Sequence, residues 1–476
     1  MNALLHQSGL RRMCAAWAFA AGCWLAVPGV AAAQPKPDAA LIARGHYLVI
    51  AGDCQACHTI DPSKPMAGGY AVPTPFGTIY SSNITPDRTT GIGTWSDSDF
   101  VRAMQRGVGK SGKNLYPAFP YDSYTLLSRP DILAMKAYLF SLPPVHNVIP
   151  ADRLGFPFNQ RWILWGWKLL NFRNARFRPD PGKSAAWNRG AYLVNALEHC
   201  GTCHTPRNLT MGLETGRSLA GGAVGSWFAY NITPSKAGGI GGWSSRDIVG
   251  YLSTGIAPGK AWAAGPMAEA VQHSLSHLHA ADLRAIVTYL RSLRPISGGD
   301  GKKPRFAHGT PAVYEAVLRG RSGVTASTAA ASGAELYSGN CASCHGVTGT
   351  GSKGGYFPPL IHDTTVGASR ANNLVMVILS GVQRRTPHSD VFMPAFAALD
   401  NGQIARLATY MERQFGNPAV HVTAGQVASL RTGKGPGPPY AAIGIAILAC
   451  VILLAIGIVL LRRARHRHSA QPHPSV

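Results

Sequence analysis

The sequence predicts an all-α protein of three tandem domains followed by one C-terminal transmembrane helix, and three observations predict it. A Cys-x-x-Cys-His stretch occurs three times, at Cys54–His58, Cys200–His204 and Cys341–His345. Downstream of each copy runs an amphipathic segment with apolar residues at helical spacing: Asp131 to Leu142 (Leu133, Tyr138, Leu139), Asp282 to Leu293 (Ile286, Tyr289, Leu290) and Gln403 to Phe415 (Leu407, Tyr410, Met411). Finally, Tyr440 to Leu461 is apolar throughout, and as a helix it would extend roughly 33 Å, enough to cross a bilayer core.

The repeated pentapeptide opens each domain. Residues three and four apart share a face of a helical turn, so Cys54 and Cys57 can add to the vinyl groups of one haem while His58 reaches its iron. The same holds for Cys200, Cys203 and His204, and for Cys341, Cys344 and His345. Three covalently bound haem c groups are therefore expected. A structural zinc site needs four ligands close together, and no copy has a second Cys/His pair at zinc spacing. Haem helix first and packing helix last is the layout of a small cytochrome c-type domain.

The other cysteines, Cys14, Cys23 and Cys450, lie in apolar segments at the two ends, which leaves no thiols for a disulfide framework. Arg11 and Arg12, an apolar run from Met13 to Val27 and Ala31-Ala32-Ala33 have the layout of a signal peptide cleaved after Ala33. Arg462, Arg463, Arg465 and Arg467 follow the C-terminal apolar segment, and the positive-inside rule places that tail in the cytoplasm. The expectation is a single-pass protein of the cytoplasmic (inner) membrane with its haem domains in the periplasm. The formal charge is +23, and the chain stays strongly basic when those six arginines are set aside. Nucleic acid does not suit that compartment, so the charge is expected to face membrane lipid headgroups, haem propionates or an acidic partner protein.

Internal repeats set the boundaries. Arg44-Gly45-His46-Tyr47-Leu48-Val49 leads into the first motif and Arg189-Gly190-Ala191-Tyr192-Leu193-Val194 into the second, while the third lead-in, Gly333 to Tyr337, is looser. Asn83-Ile84-Thr85-Pro86, Trp95-Ser96 and Asp99 recur at a constant offset of 148 residues as Asn231-Ile232-Thr233-Pro234, Trp243-Ser244 and Asp247. Repeats at this scale mean duplicated domains. The expected order is a signal peptide over 1–33, domains over 34–148, 187–297 and 331–420, and a transmembrane helix over 440–461 before a basic cytoplasmic tail over 462–476. Linkers fill 298–330 and 421–439. The segment 149–186, rich in Arg and aromatics, is too apolar for a free linker. It reads as a clamp between domains or, second, as a docking surface for a partner subunit.

An electron-transfer haem usually takes Met opposite its His. Met267 and Met393 each stand twelve residues after a glycine that ends a helical stretch, Gly255 and Gly381. In the first domain the matching glycine is Gly107, and twelve residues on stands Phe119, which cannot ligate iron. Met104 is the first alternative there, but it fills a periodic apolar slot that Leu252 and Ile378 fill elsewhere, so it reads primarily as core.

With Tyr116-Pro117-Ala118-Phe119-Pro120-Tyr121, Trp187-Asn188-Arg189-Gly190 and Cys200 to Asn208 added to these motifs, the chain closely resembles the triheme cytochrome c subunit of bacterial membrane-bound dehydrogenases. That family serves alcohol, gluconate, sorbitol, glucose and aldehyde dehydrogenases. The resemblance implies a separate catalytic dehydrogenase subunit using pyrroloquinoline quinone, flavin or molybdenum, from which this chain passes electrons to ubiquinone or a terminal oxidase. It also implies Met where this chain has Phe119. No GxGxxG follows a strand, and no catalytic residues stand out in the sequence. The alternative is a haem enzyme, a peroxidase or small-molecule reductase, using an open position at the first haem.

Overall fold

The computed structural model describes residues 38–297, 303–312, 331–433, 449, 452–453 and 456–462. The same helical plan appears three times. An opening helix leads into a short helical turn that carries the cysteines: Ala39–Ala51 into Cys54–His58, Ala185–Tyr192 through the π-helical Leu193–Leu197 into Gly201–His204, and Gly333–Asn340 into Ala342–His345. A middle helix follows (Asp97–Arg106, Ser245–Thr254, Asn372–Ser380), then a closing one (Arg129–Ser141, Ala280–Ser292, Asn401–Phe415). The repeated Ser-x-x-Asp starts the first two middle helices as a capping box, in which Ser96 and Asp99, or Ser244 and Asp247, satisfy each other's backbone N–H groups. All three middle helices end on glycines in positive φ, Gly107, Gly255 and Gly381.

Opening and closing helices cross at a glycine in every repeat. A Cβ on Gly45 would lie 1.8 Å from the Ala134 carbonyl oxygen, and one on Gly190 would lie 2.0 Å from that of Ala285. On Gly333 it would lie 2.4 Å from the Arg406 carbonyl oxygen. The backbones touch there, and no side chain fits between them.

The all-α expectation is corrected. Small antiparallel sheets accompany the helices: a three-stranded sheet of Ala71–Thr74, Gly77–Tyr80 and Arg153–Leu154, and hairpins Gly222–Val224/Trp227–Ala229, Ile256–Ala257/Ala261–Trp262 and Val382–Thr386/Ser389–Met393. These strands are two to five residues long, too short for a period-two pattern to stand out of the sequence. The transmembrane helix and the single-pass inner-membrane placement built on it are corrected too. Among the described residues no helix is long and apolar enough to cross a membrane. The longest described run in that segment is Ile456–Arg462, about 10 Å of helix against roughly 30 Å of hydrocarbon. Of the remainder of 440–461 only 449 and 452–453 are described, and the expected signal peptide and its cleavage site at Ala33 lie outside the described residues.

One continuous hydrophobic core joins the first two repeats, from Leu48 and Leu127 through Leu193 and Leu197 to Ile286, and a second core holds the third repeat, with Leu336, Ile378, Leu407 and Phe415. Polar contacts exchanged between the first two repeats reinforce the shared core. Arg44 Nη2 donates to Asp131 at 2.6 Å within the first repeat, and Tyr192 Oη from the second donates to the same carboxylate at 2.6 Å. Reciprocally, Arg189 Nη2 donates to Asp282 at 2.6 Å, and Tyr47 Oη from the first repeat donates to it at 2.6 Å. Burial raises the pKa of both carboxyls, but these hydrogen bonds outweigh it and hold both below the usual range. In the third repeat the matching Tyr337 Oη donates instead to its own Gly346 carbonyl.

Within the aromatic, basic segment, helix Ile163–Asn171 bridges the first two repeats. Lys168 Nζ donates to the Gly107 carbonyl at 3.0 Å and Trp167 Nε1 to the Thr210 carbonyl at 2.8 Å. Its outer face leaves Trp165 and Leu169 exposed.

Candidate haem sites

Each Cys-x-x-Cys-His stretch presents its histidine in the same way. His58 Nδ1 lies 2.7 Å from the Ser82 carbonyl oxygen, His204 Nδ1 2.6 Å from that of Tyr230, and His345 Nδ1 2.9 Å from that of Pro358. A carbonyl only accepts, so Nδ1 carries the proton and Nε2 is left with a free lone pair. Burial pushes all three histidines below the ordinary imidazole pKa, which keeps them neutral as iron ligation requires. The six described cysteines are free thiols, and burial pushes Cys54 up to about 12 and Cys57 to about 11. Two free thiols and a neutral imidazole with one open nitrogen, on one helical turn, fit a covalently attached haem.

The Asn-Ile-Thr-Pro repeat, which in the sequence marks the duplication, holds the histidine's anchor. Ser82 and Tyr230 immediately precede Asn83 and Asn231. Asn83 Oδ1 accepts from the Thr85 N–H at 2.9 Å while Nδ2 donates to the Val145 carbonyl at 2.8 Å; Asn231 bonds Thr233 and Ile296 likewise, at 2.8 and 2.7 Å. The motif ties the anchoring segment, just past the strands Gly77–Tyr80 and Trp227–Ala229, to the chain that leaves the closing helix. In the third repeat Pro358 and Pro359 take its place, fixing the backbone through restricted φ.

Where the middle helices end, the Gly107 and Gly255 carbonyls accept from N–H groups eight residues on, Leu115 and Ala263, each at 2.8 Å. These closures put Phe119 and Met267 at equivalent positions four residues later. Phe119 stacks at a tilt on Tyr124, 5.5 Å between centroids, and Met104 is buried in the core. Met267 is in the first turn of Gly265–His273, packed against the core. Met393 ends the Ser389–Met393 strand beside Gly381, where a Cβ would lie 2.4 Å from the Met393 carbonyl oxygen.

The first two attachment turns lie close together. The Cys203 thiol helps raise the pKa of Cys57, after burial, Asp53 and Glu269. Between the turns, Glu198 is buried with its carboxyl facing Ser274, and burial, with Asp53 second, raises its pKa well above the usual range.

Residues 330–414 match the cytochrome c family model, which supports covalently bound haem c. Over 84% of its length the chain is 43% identical to 85% of the fructose dehydrogenase cytochrome subunit of Gluconobacter japonicus. It is 36% identical to the gluconate 2-dehydrogenase cytochrome c subunit of Pantoea cypripedii, over 84% of this chain and 92% of the relative. It is 35% identical to the cytochrome c subunit of the quinone-type alcohol dehydrogenase of Gluconobacter oxydans, over 92% of each. Identity of this level over nearly the whole length of several such proteins makes the chain a member of the family of dehydrogenase cytochrome c subunits, whose role is electron transfer.

Proposed function

We propose that the chain is a three-haem electron carrier that accepts electrons from a catalytic dehydrogenase subunit and delivers them to ubiquinone or a terminal oxidase. Its domains would be 34–148, 187–297 and 331–420, each holding one haem through its two motif cysteines. His58, His204 and His345 would hold the iron through Nε2, and Met267 and Met393 would supply a thioether at the second and third sites. Bound haem supplies a one-electron Fe(III)/Fe(II) couple. The protein holds each imidazole in one tautomer through Ser82, Tyr230 or Pro358, surrounds the sites with apolar side chains and brings the first two attachment turns together. The partner's cofactor would be pyrroloquinoline quinone, flavin or molybdenum, in keeping with the dehydrogenases whose cytochrome subunits this chain resembles.

The observation that carries this reading is the thrice-repeated imidazole anchored through Nδ1. Intact mass and haem staining test it: the chain should carry three haems, and Cys→Ala at both cysteines of one motif should remove one. A wild-type mass corresponding to fewer than three haems would refute it. With a co-expressed dehydrogenase, substrate should reduce all three haems; a complex in which none is reduced would remove the partner assignment.

A further inference from the structure

Arg384 is the largest fully buried side chain among the described residues. It stands on the strand Val382–Thr386, opposite Val391 on the strand that ends at Met393. The hairpin is pressed against the second repeat: Ser389 Oγ donates to the Thr254 carbonyl at 2.9 Å, and the Arg385 N–H to Gln272 Oε1 at 2.7 Å. Arg384 reaches across the same boundary, donating from Nη1 to the Ala263 carbonyl. Gly255 makes room for it, since a Cβ there would lie 2.4 Å from the guanidinium carbon.

The other two guanidinium positions, Nε and Nη2, are buried without a hydrogen-bond partner. Among the described residues no carboxylate acts on the group. The ionisable side chain that bears on it is Tyr251, whose phenol burial keeps protonated. Burial lowers the arginine's pKa, yet a guanidinium starts so high that it stays charged. An uncompensated buried cation is costly. This one lies four residues before Met267 in the chain it touches, and two strand positions from the residue paired with Met393 on its own hairpin.

We propose that Arg384 is a fixed interior charge that raises the reduction potential of the second haem, and to a lesser extent the third. The inference rests on the three-haem reading above. Reduction adds one electron to a haem, and a buried positive charge nearby stabilises the added charge. The attraction falls only as the inverse of distance in a low-dielectric interior, and salt, which screens surface charges, scarcely reaches it.

Spectroelectrochemical titration of the full, haem-loaded chain tests this, with haem number first confirmed by intact mass. Arg384→Met should shift at least one component to lower potential, Arg384→Lys should retain the wild-type curve, and the difference should persist between low and high ionic strength. Arg384→Gln, which keeps a donor for the Ala263 carbonyl, is the second neutral variant and should shift in the same direction. A three-haem Met or Gln variant with an unshifted curve would overturn the inference, as would equal shifts in the Lys and neutral variants. A wild-type chain with fewer than three haems would instead overturn the reading on which it rests.

Discussion

Phe119 shows what a single position decides. The eight-residue closures from Gly107 to Leu115 and from Gly255 to Ala263 set it level with Met267, yet a phenyl ring offers iron no lone pair. The first site should therefore bind exogenous carbon monoxide when reduced, and Phe119→Met should abolish that binding and create a second-site-like thioether-to-iron band. An unchanged spectrum on a folded variant would show that the register does not carry over to the haem. Another residue-scale effect comes from Glu412, fully buried on the last closing helix. Burial pushes its carboxyl up to about 9, opposed by the Asn417 N–H and assisted by Asp363. The folded chain then keeps a proton that the unfolded chain has released above its ordinary value of 4.5. Stability should fall as pH rises from about 4.5 to 9, by at most about 1.4 kcal/mol per pH unit, and Glu412→Gln should flatten that slope. Denaturation midpoints at pH 5 and 8 measure it; parallel pH profiles for wild type and variant would exclude this assignment. The glycines that end the middle helices were legible in the sequence because they recur along the chain. The burial of Glu412 was not, because a charged residue in an amphipathic helix reads as solvent-facing until its neighbours are known.

At the scale of elements, the Arg-Gly-x-Tyr lead-in was visible twice in the sequence, but its meaning depends on contacts across more than two hundred residues. Its arginine pairs with the closing helix of its own repeat, its glycine lets the two helices touch, and its tyrosine crosses to the closing helix of the neighbouring repeat. No periodicity reports the last of these. The short hairpins escaped for the same reason: strands of two to five residues are stabilised by the sites around them rather than by a pattern of their own. Tyr47→Phe should cost about 1.5–3 kcal/mol, the range for a hydrogen bond to a charged group. In a double-mutant cycle with Asp282→Asn, the coupling should be about 0.5–3 kcal/mol. Strict additivity in denaturant titrations would mean that the Tyr47–Asp282 contact contributes nothing to joining the repeats.

For the whole molecule, the repeats in the sequence suggest three domains, and the described residues pack around two hydrophobic cores of unequal size. Leu127 and Ile286 belong to different repeats yet sit in one hydrophobic cluster, joined through Leu193 and Leu197; Leu336 and Phe415 are fully buried in another. The boundary between the cores is carried by polar contacts, among them the paired Phe228 and Asn373, whose backbone and amide exchange hydrogen bonds of 2.8 and 2.9 Å, and Thr364 with Lys260 at 2.7 Å. Apolar burial is the dominant cooperative term in folding, so cooperativity should follow cores rather than repeats. Replacing a fully buried Leu or Ile by Ala costs about 2–5 kcal/mol. Leu127→Ala and Ile286→Ala should therefore lower the same thermal transition, although more than one hundred and fifty residues separate them. Leu336→Ala should lower a different one. Hydrogen exchange resolved by peptide distinguishes the outcomes, because destabilising one core raises exchange throughout that core and leaves the other protected. If Leu127→Ala exposed amides of the first repeat alone while the closing helix Ala280–Ser292 kept its protection, the shared core would not be a folding unit, and the tyrosine exchange would join two independently stable domains.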